Sequence, residues 1–186
     1  MEFTLDEMMR TGHVKRWQIV RTAREQTIAE HMYRVWAITA LIVENLNFPA
    51  KLKFTAQSWA LVHDVPEVIT GDIATPAKEA MRKAVPNDDP IHNIELSLSD
   101  TYRQIWQDAK RYSYPGRPSA YEIVKLADII EAACFLGCEG IGNHATVVRE
   151  GTIKRAHEHY DMLRMRYPDV QWINISGIVN KSWDGV

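Results

Sequence analysis

Four side chains in three separate stretches have the types and placement to do chemistry: His31, the adjacent pair His63-Asp64, and Asp128. Each sits where apolar residues repeat at helical spacing, so each is predicted to face an interior. Two imidazoles and two carboxylates taken out of water together are costly to leave unpartnered. A divalent cation offsets that cost best. Two nitrogen and two carboxylate ligands suit Co, Mn, Zn, Fe or Ni, whereas Mg favours more oxygen. On a six-coordinate ion, four protein ligands leave two positions for water and a phosphate oxygen, which is what metal-assisted hydrolysis needs. Taken singly, His31 and His63 also read as hydrogen-bonded core histidines, and Asp64 as a helix cap. Asp128 resists such a reading. Ile123, Val124, Leu126, Ala127, Ile129 and Ile130 surround it, and a carboxylate buried in mid-helix needs a cation or several donors.

These groups meet only if helices bring them together. Thr27-Ile28-Ala29-Glu30 has the form of a capping box, so a helix is predicted to start at Thr27. Its stripe is Ile28, Val35, Ile38 and Ile42, and His31 fills the gap. Thr55 is read as the N-cap of a second helix, with Ala56, Trp59, Ala60 and His63 on one face. Pro66 should end or kink that helix near His63-Asp64. Gly71 and Pro76 mark a loop, residues 76–84 a helix and residues 85–90 a turn-rich break. A helix over about 94–109, a loop over 112–118 and an apolar helix over 121–138 follow, the last broken by Gly137, Gly140 and Gly142. Residues 146–166 read as a charged amphipathic helix. The tail after Pro168, with Trp172 and Trp183, is expected to pack loosely or against a neighbouring subunit. Residues 17–20 read equally as a weak strand or a loop. The predicted fold is all-α, one compact helical bundle over residues 1–186.

A chain of 186 residues buries roughly 70% of its unfolded surface as one domain. Its formal net charge of -2 gives no support to nucleic-acid binding. Cys134 and Cys138 read as buried free thiols, which fits a cytosolic protein. The N-terminus lacks an apolar signal segment, and the longest apolar stretch, 35–43, is far short of the roughly 20 residues that span a bilayer. The Asn174-Ile175-Ser176 sequon is then accidental.

The order His, His-Asp, Asp resembles that of the HD-domain phosphohydrolases. A wider set carries the resemblance further: Arg16-Trp17, Arg21, Arg24, Ala29-Glu30-His31, His63-Asp64-Val65-Pro66-Glu67, Thr70-Gly71-Asp72, Thr75-Pro76-Ala77-Lys78 and Lys125-Leu126-Ala127-Asp128. Over residues 11–140 it resembles bacterial 5'-deoxynucleotidases and, equally, the related phage dATP triphosphohydrolases. The resemblance implies a helical HD domain with a metal on His31, His63, Asp64 and Asp128. It implies that Glu67 is catalytic and that Asp72 lies beside the metal, close to the bond being cleaved; from this we infer that the two divide the proton work, with the base and the acid unassigned. Glu67 would share the face of His63 and Asp64 on a continuing helix, although Pro66 interrupts it. The plainer reading of Asp72 is an N-cap. By the same resemblance Arg16 contacts a phosphate, Trp17 packs on the sugar and excludes a ribose 2'-hydroxyl, and Ile19 forms part of the base pocket. Arg21 and Arg24 are read as phosphate contacts or loop anchors.

Lys78 and Arg82, four residues apart beside Lys83, read as a solvated face or as cations for the outer phosphates of a triphosphate. Mg enters as a second ion accompanying such a triphosphate. His13, His92, His144, His157 and His159 receive no role. The predicted function is metal-dependent hydrolysis of a 2'-deoxynucleotide. dATP giving deoxyadenosine and triphosphate stands slightly ahead of a deoxynucleoside monophosphate giving phosphate. A non-catalytic metal or nucleotide sensor is the rival, though it needs neither Glu67 nor Asp72. A cyclic-nucleotide phosphodiesterase is a third reading, for which the chain is short. A homo-oligomer in the bacterial or phage-infected cytoplasm, without nucleic-acid or membrane partners, completes the expectations.

Overall fold

Thr27 caps the helix that carries His31, as its sequence predicts. Its hydroxyl accepts from the Glu30 amide at 3.3 Å, while the Glu30 carboxylate pairs with Arg24 and Arg34. The computed structural model describes residues 2–86 and 88–184, the last three by backbone alone. Among the described residues ten α-helices follow in order: α1 Leu5–Met9, α2 Ile28–Asn45, α3 Ala50–Ala60, α4 Glu67–Thr70, α5 Thr75–Ala84, α6 Pro90–Ser97, α7 Asp100–Arg111, α8 Ala120–Glu139, α9 Gly142–Arg166 and α10 Ser176–Asp184. The described residues contain isolated β-bridges, Lys15 with Thr27 and Thr22 with Gly140, and no strand.

α8 is the spine. Ser119 and Glu122 form a reciprocal capping box at its start. Its buried residues include Ile123, Val124, Leu126, Ala127, Ile130, Ala133, Phe135 and Leu136, and α2, α3, α7, α9 and α10 all pack on it. A helix that is apolar over most of its circumference belongs inside a bundle. It runs through Gly137, where a break was expected, and ends at Gly140. A Cβ there would meet the Leu136 carbonyl at 2.6 Å.

Other boundaries also differ from the sequence reading. Thr55 is no cap: α3 begins at Ala50 behind Pro49, and the Thr55 hydroxyl donates to the Lys51 carbonyl inside the helix. The expected helix over 94–109 is two helices, because Ser99 stops one and caps the next by accepting from the Tyr102 amide at 3.0 Å. Residues 17–20 form a turn, with the Val20 amide donating to the Trp17 carbonyl. Trp172 does not pack loosely. It is buried, and it donates to the Tyr167 carbonyl and accepts from the Tyr160 hydroxyl. The Trp183 side chain and Asn87 lie outside the described residues. Cys134 is half-buried and Cys138 exposed, and neither is in a disulfide, so only Cys134 approaches the expected burial. Among the described residues no helix is long and apolar enough to cross a membrane.

Candidate active site

Three elements converge beside the middle of the spine. α2 supplies His31, fully buried. The turn after α3 supplies His63 and Asp64, and α8 supplies Asp128. Pro66 does interrupt the second element. α3 ends at Ala60, and the chain continues through single turns, with the Val65 amide on the Val62 carbonyl and the Glu67 amide on that of Asp64. The Tyr102 hydroxyl reaches across from α7 and donates to the His63 carbonyl at 2.9 Å, which fixes the turn.

Nε2 of His31 lies 3.4 Å from Asp64 Oδ2 and 3.3 Å from Asp128 Oδ1. Nε2 of His63 lies 3.6 Å from Asp64 Oδ2. The far nitrogens are engaged elsewhere. His31 Nδ1 donates to Glu131 Oε2 at 2.7 Å, and His63 Nδ1 to the Ala60 carbonyl at 2.9 Å. In the neutral ring, donation from Nδ1 leaves the lone pair on Nε2. Both Nε2 atoms are buried with no hydrogen-bond partner, which is costly unless something binds them. One ligand atom each from His31, His63 and Asp128 lie within 4.8 Å of one another and could hold a metal ion. With Asp64 against both imidazoles, the four expected ligands share one locus. Asp128 is less buried than its apolar neighbours implied. Its side chain is 20% exposed because it opens on a cleft, and its Oδ2 accepts from Lys125 Nζ at 2.8 Å.

The electrostatics reflect the crowding of carboxylates around the imidazoles: burial and Arg16 pull His31 down, but Asp128 and Glu131 outweigh them and raise it above its ordinary value. Burial pushes the Asp128 carboxyl up, but Lys125 and both imidazoles outweigh it and hold the group well below the usual carboxylate range. Asp64 is lowered too, burial losing to His63, His31 and Arg16. Burial pulls His63 below its ordinary value, so its Nε2 is free to ligate.

Glu67 opens the one-turn α4 rather than extending α3, so it does not share a continuing face with His63. It is buried, accepts from Lys78 Nζ at 3.1 Å through Oε1, and leaves Oε2 without a partner. Burial and then the Asp64 charge raise its pKa well above the ordinary value, against Lys78. Gly71, at φ 73°, reverses the chain, a conformation glycine adopts without strain. Asp72 follows, half-buried, and burial raises its pKa against the pull of Arg16. It is no N-cap, since α5 begins behind Ala74 without a side-chain cap.

The segment before α2 folds back beside His31. The Arg16 side chain is only 14% exposed, 3.5 Å from Glu131 Oε2, and its Nη1 lacks a hydrogen-bond partner. Its guanidinium lies over the Trp17 ring, which stacks on Phe135. Trp17 Nε1 donates to Gln26 Oε1 at 2.7 Å. Ile19 is 55% exposed at the tip of the turn. Arg24 anchors the loop, through Glu30 and Glu139.

A cleft of about 330 Å³ opens off His63, Asp64 and Asp128. Four cations line it: Lys78, Arg82, Lys110 and Lys125. Arg82 is held by Asp89 at 2.8 Å, and Lys110 rests on the rings of Trp106 and Tyr121.

A family model described as 5'-deoxynucleotidase YfbR-like matches residues 4–167, well beyond the stretch over which the motifs carried the resemblance. The chain belongs to the YfbR-like 5'-deoxynucleotidase family. Among relatives of this YfbR-like chain, a dATP triphosphohydrolase of Cyanophage S-2L is 34% identical over 75% of the chain and 73% of its own length. A dATP triphosphohydrolase of Acinetobacter phage SH-Ab 15497 is 29% identical over 98% and 92%. A 5'-deoxynucleotidase of Shewanella oneidensis is 30% identical over 74% and 73%. Among solved structures, the Cyanophage S-2L HD phosphohydrolase DatZ, bound to dA and one catalytic Zn2+ ion, superposes with a TM-score of 0.79 at 28% identity, over 97% of this chain and 99% of that one. The all-α class of the YfbR-like chain is thus as expected.

Glu131, Gln26 and Lys110 had no place in the sequence reading. Glu131 was within reach, standing three residues after Asp128 on an apolar helix and so sharing its face. Lys110 and Gln26 carry no comparable signal, because distant packing alone places them.

Proposed function

We propose that this YfbR-like protein is a metal-dependent phosphohydrolase that cleaves a 2'-deoxynucleoside 5'-triphosphate to the deoxynucleoside and inorganic triphosphate. The observation that carries the reading is the pair of orphaned, buried Nε2 atoms converging with Asp64 and Asp128 beside a cation-lined cleft. His31, His63, Asp64 and Asp128 would hold one divalent ion, which supplies an acidified water and charge neutralisation at phosphorus. Zn is supported by the ion in the DatZ structure.

The cleft favours three phosphates over one. With Asp64 and Asp128 committed to the metal, Lys110 and Lys125 are left over beside Lys78 and Arg82, which Glu67 and Asp89 already engage. These cations suit the β and γ phosphates, with a second ion such as Mg sharing their charge. Arg16 would bind the α-phosphate. Glu67 and Asp72 would divide the proton work, one accepting from the attacking water and the other donating to the departing O5'. Trp17 would exclude a ribose hydroxyl, and Ile19 would border the base. Adenine is supported by the phage relatives.

The second reading is a deoxynucleoside monophosphate substrate, supported by the family's description and the Shewanella relative. Self-association and a cytoplasmic location remain our proposals. Sedimentation would detect a second copy.

The test is chromatography of products from a pool of deoxynucleoside tri- and monophosphates and ribonucleotides, with Co, Mn or Zn present. Triphosphate from dATP supports the first reading, and phosphate from monophosphates alone the second. Bound metal without turnover would leave a sensor.

A further inference from the structure

Gln26 touches none of the four expected ligands, yet it is fully buried and uses both ends of its amide. Oε1 accepts from the Trp17 indole at 2.7 Å, and Nε2 donates to Glu131 Oε1 at 2.6 Å. The other oxygen of Glu131 accepts from His31 Nδ1 at 2.7 Å and lies 3.5 Å from Arg16 Nη1. Side chains facing the sugar, the phosphate and the metal therefore hang on one buried polar pair. The backbone reinforces the link, since the Arg16 amide donates to the Gln26 carbonyl at 2.8 Å. Trp17 itself sits at φ 64°, a region a bulky residue holds only when its surroundings fix it.

The sequence of bonds has one direction. The carboxylate demands a donor and the indole an acceptor, so a flipped amide would oppose both partners. Nothing in the chain can slip without breaking a buried hydrogen bond, and a buried polar group left unpaired is costly.

We propose that Gln26 is a positioning residue that couples sugar selection at Trp17 to the orientation of His31, resting on the reading of Trp17 and His31 given under Proposed function. A 2'-hydroxyl that displaces the Trp17 ring pulls on Gln26, turns Glu131 and tilts the imidazole. A ribonucleotide is then penalised in kcat as well as in KM.

The test uses the full chain, two variants and Co(II) as probe. Gln26→Met keeps the length of the side chain and removes both of its hydrogen bonds. Trp17→Phe keeps an aromatic ring against Phe135 and removes the indole N–H together with the second ring. Co(II) affinity and visible absorption are measured on the metal-free proteins, and kcat and KM are compared for dATP and ATP. The expected result is a loss of Co(II) affinity of about tenfold in Gln26→Met, the range seen when groups behind metal ligands are removed. Trp17→Phe shows a smaller loss in the same direction, and both variants lose the kcat component of dATP-over-ATP discrimination while keeping part of the KM component. Wild-type Co(II) affinity and spectrum in Trp17→Phe would overturn the coupling, whether or not Gln26→Met folds. If the wild-type protein hydrolyses no nucleotide, the functional reading fails while the Co(II) titration still decides the coupling.

Discussion

Asp128 spends one oxygen toward His31 and the other on Lys125, so its removal unbalances both. Asp128→Ala should abolish stoichiometric metal binding, and a full equivalent retained in elemental analysis would remove Asp128 from the ligand set. Glu67 and Asp72 call for a different readout. Glu67→Gln and Asp72→Asn should each lower kcat by about 10²- to 10⁴-fold, the usual contribution of a general acid or base, with metal content unchanged. A nitrophenyl phosphate ester, in which nitrophenolate takes the place of the departing O5' and needs no proton, should restore turnover in whichever variant lacks the acid. Rescue of both, or of neither, would contradict the division of labour. His31 was legible because it interrupts an apolar stripe, and Asp128 because apolar residues enclose it. Gln26 was not, since its burial comes from the loop folding back on α2 and α8, and periodicity does not report such packing.

At the scale of elements, α8 joins the site to the core. Leu126, fully buried between the Lys125 and Asp128 turns, anchors the register of the helix. Leu126→Ala should destabilise the protein by about 2–5 kcal/mol, measured by urea unfolding, and a cost within experimental error would show that the spine is not packed there. The capping box of α8 has a pH signature. Burial raises the Glu122 pKa, but the Ser119 amide and hydroxyl, Tyr167 and Arg166 outweigh it, and the net shift is below the ordinary 4.5. A carboxyl depressed in the folded state adds stability above its unfolded pKa and loses it as pH falls through the folded value. Stability should therefore decline below about pH 4.5, and Glu122→Gln should flatten that decline. An unchanged slope in the variant would exclude the box as its source. Helix periods exposed α2, α5, α8 and α9 to sequence reading. The boundaries at Pro49 and Ser99 were hidden because Thr55 and Ser99 are the same kind of residue in sequence, and only packing decides which one caps.

Across the whole molecule, a formal charge of -2 conceals a local gathering of cations. Lys78, Arg82, Lys110 and Lys125 come from three helices and meet only in the folded cleft, so a linear count could name the first two and miss Lys110. Lys110→Ala should raise KM for a deoxynucleoside triphosphate severalfold and leave KM for the monophosphate unchanged. Equal effects on both would mean that the cleft does not hold the outer phosphates. The convergence of His31, His63, Asp64 and Asp128 gains its meaning from the bond that is broken. Hydrolysis of dATP by the Zn- or Co-loaded protein in ¹⁸O-water, read by mass spectrometry, tests this most directly. The expected products are triphosphate carrying one ¹⁸O and unlabelled deoxyadenosine. A full equivalent of bound metal with no labelled phosphate product would contradict it.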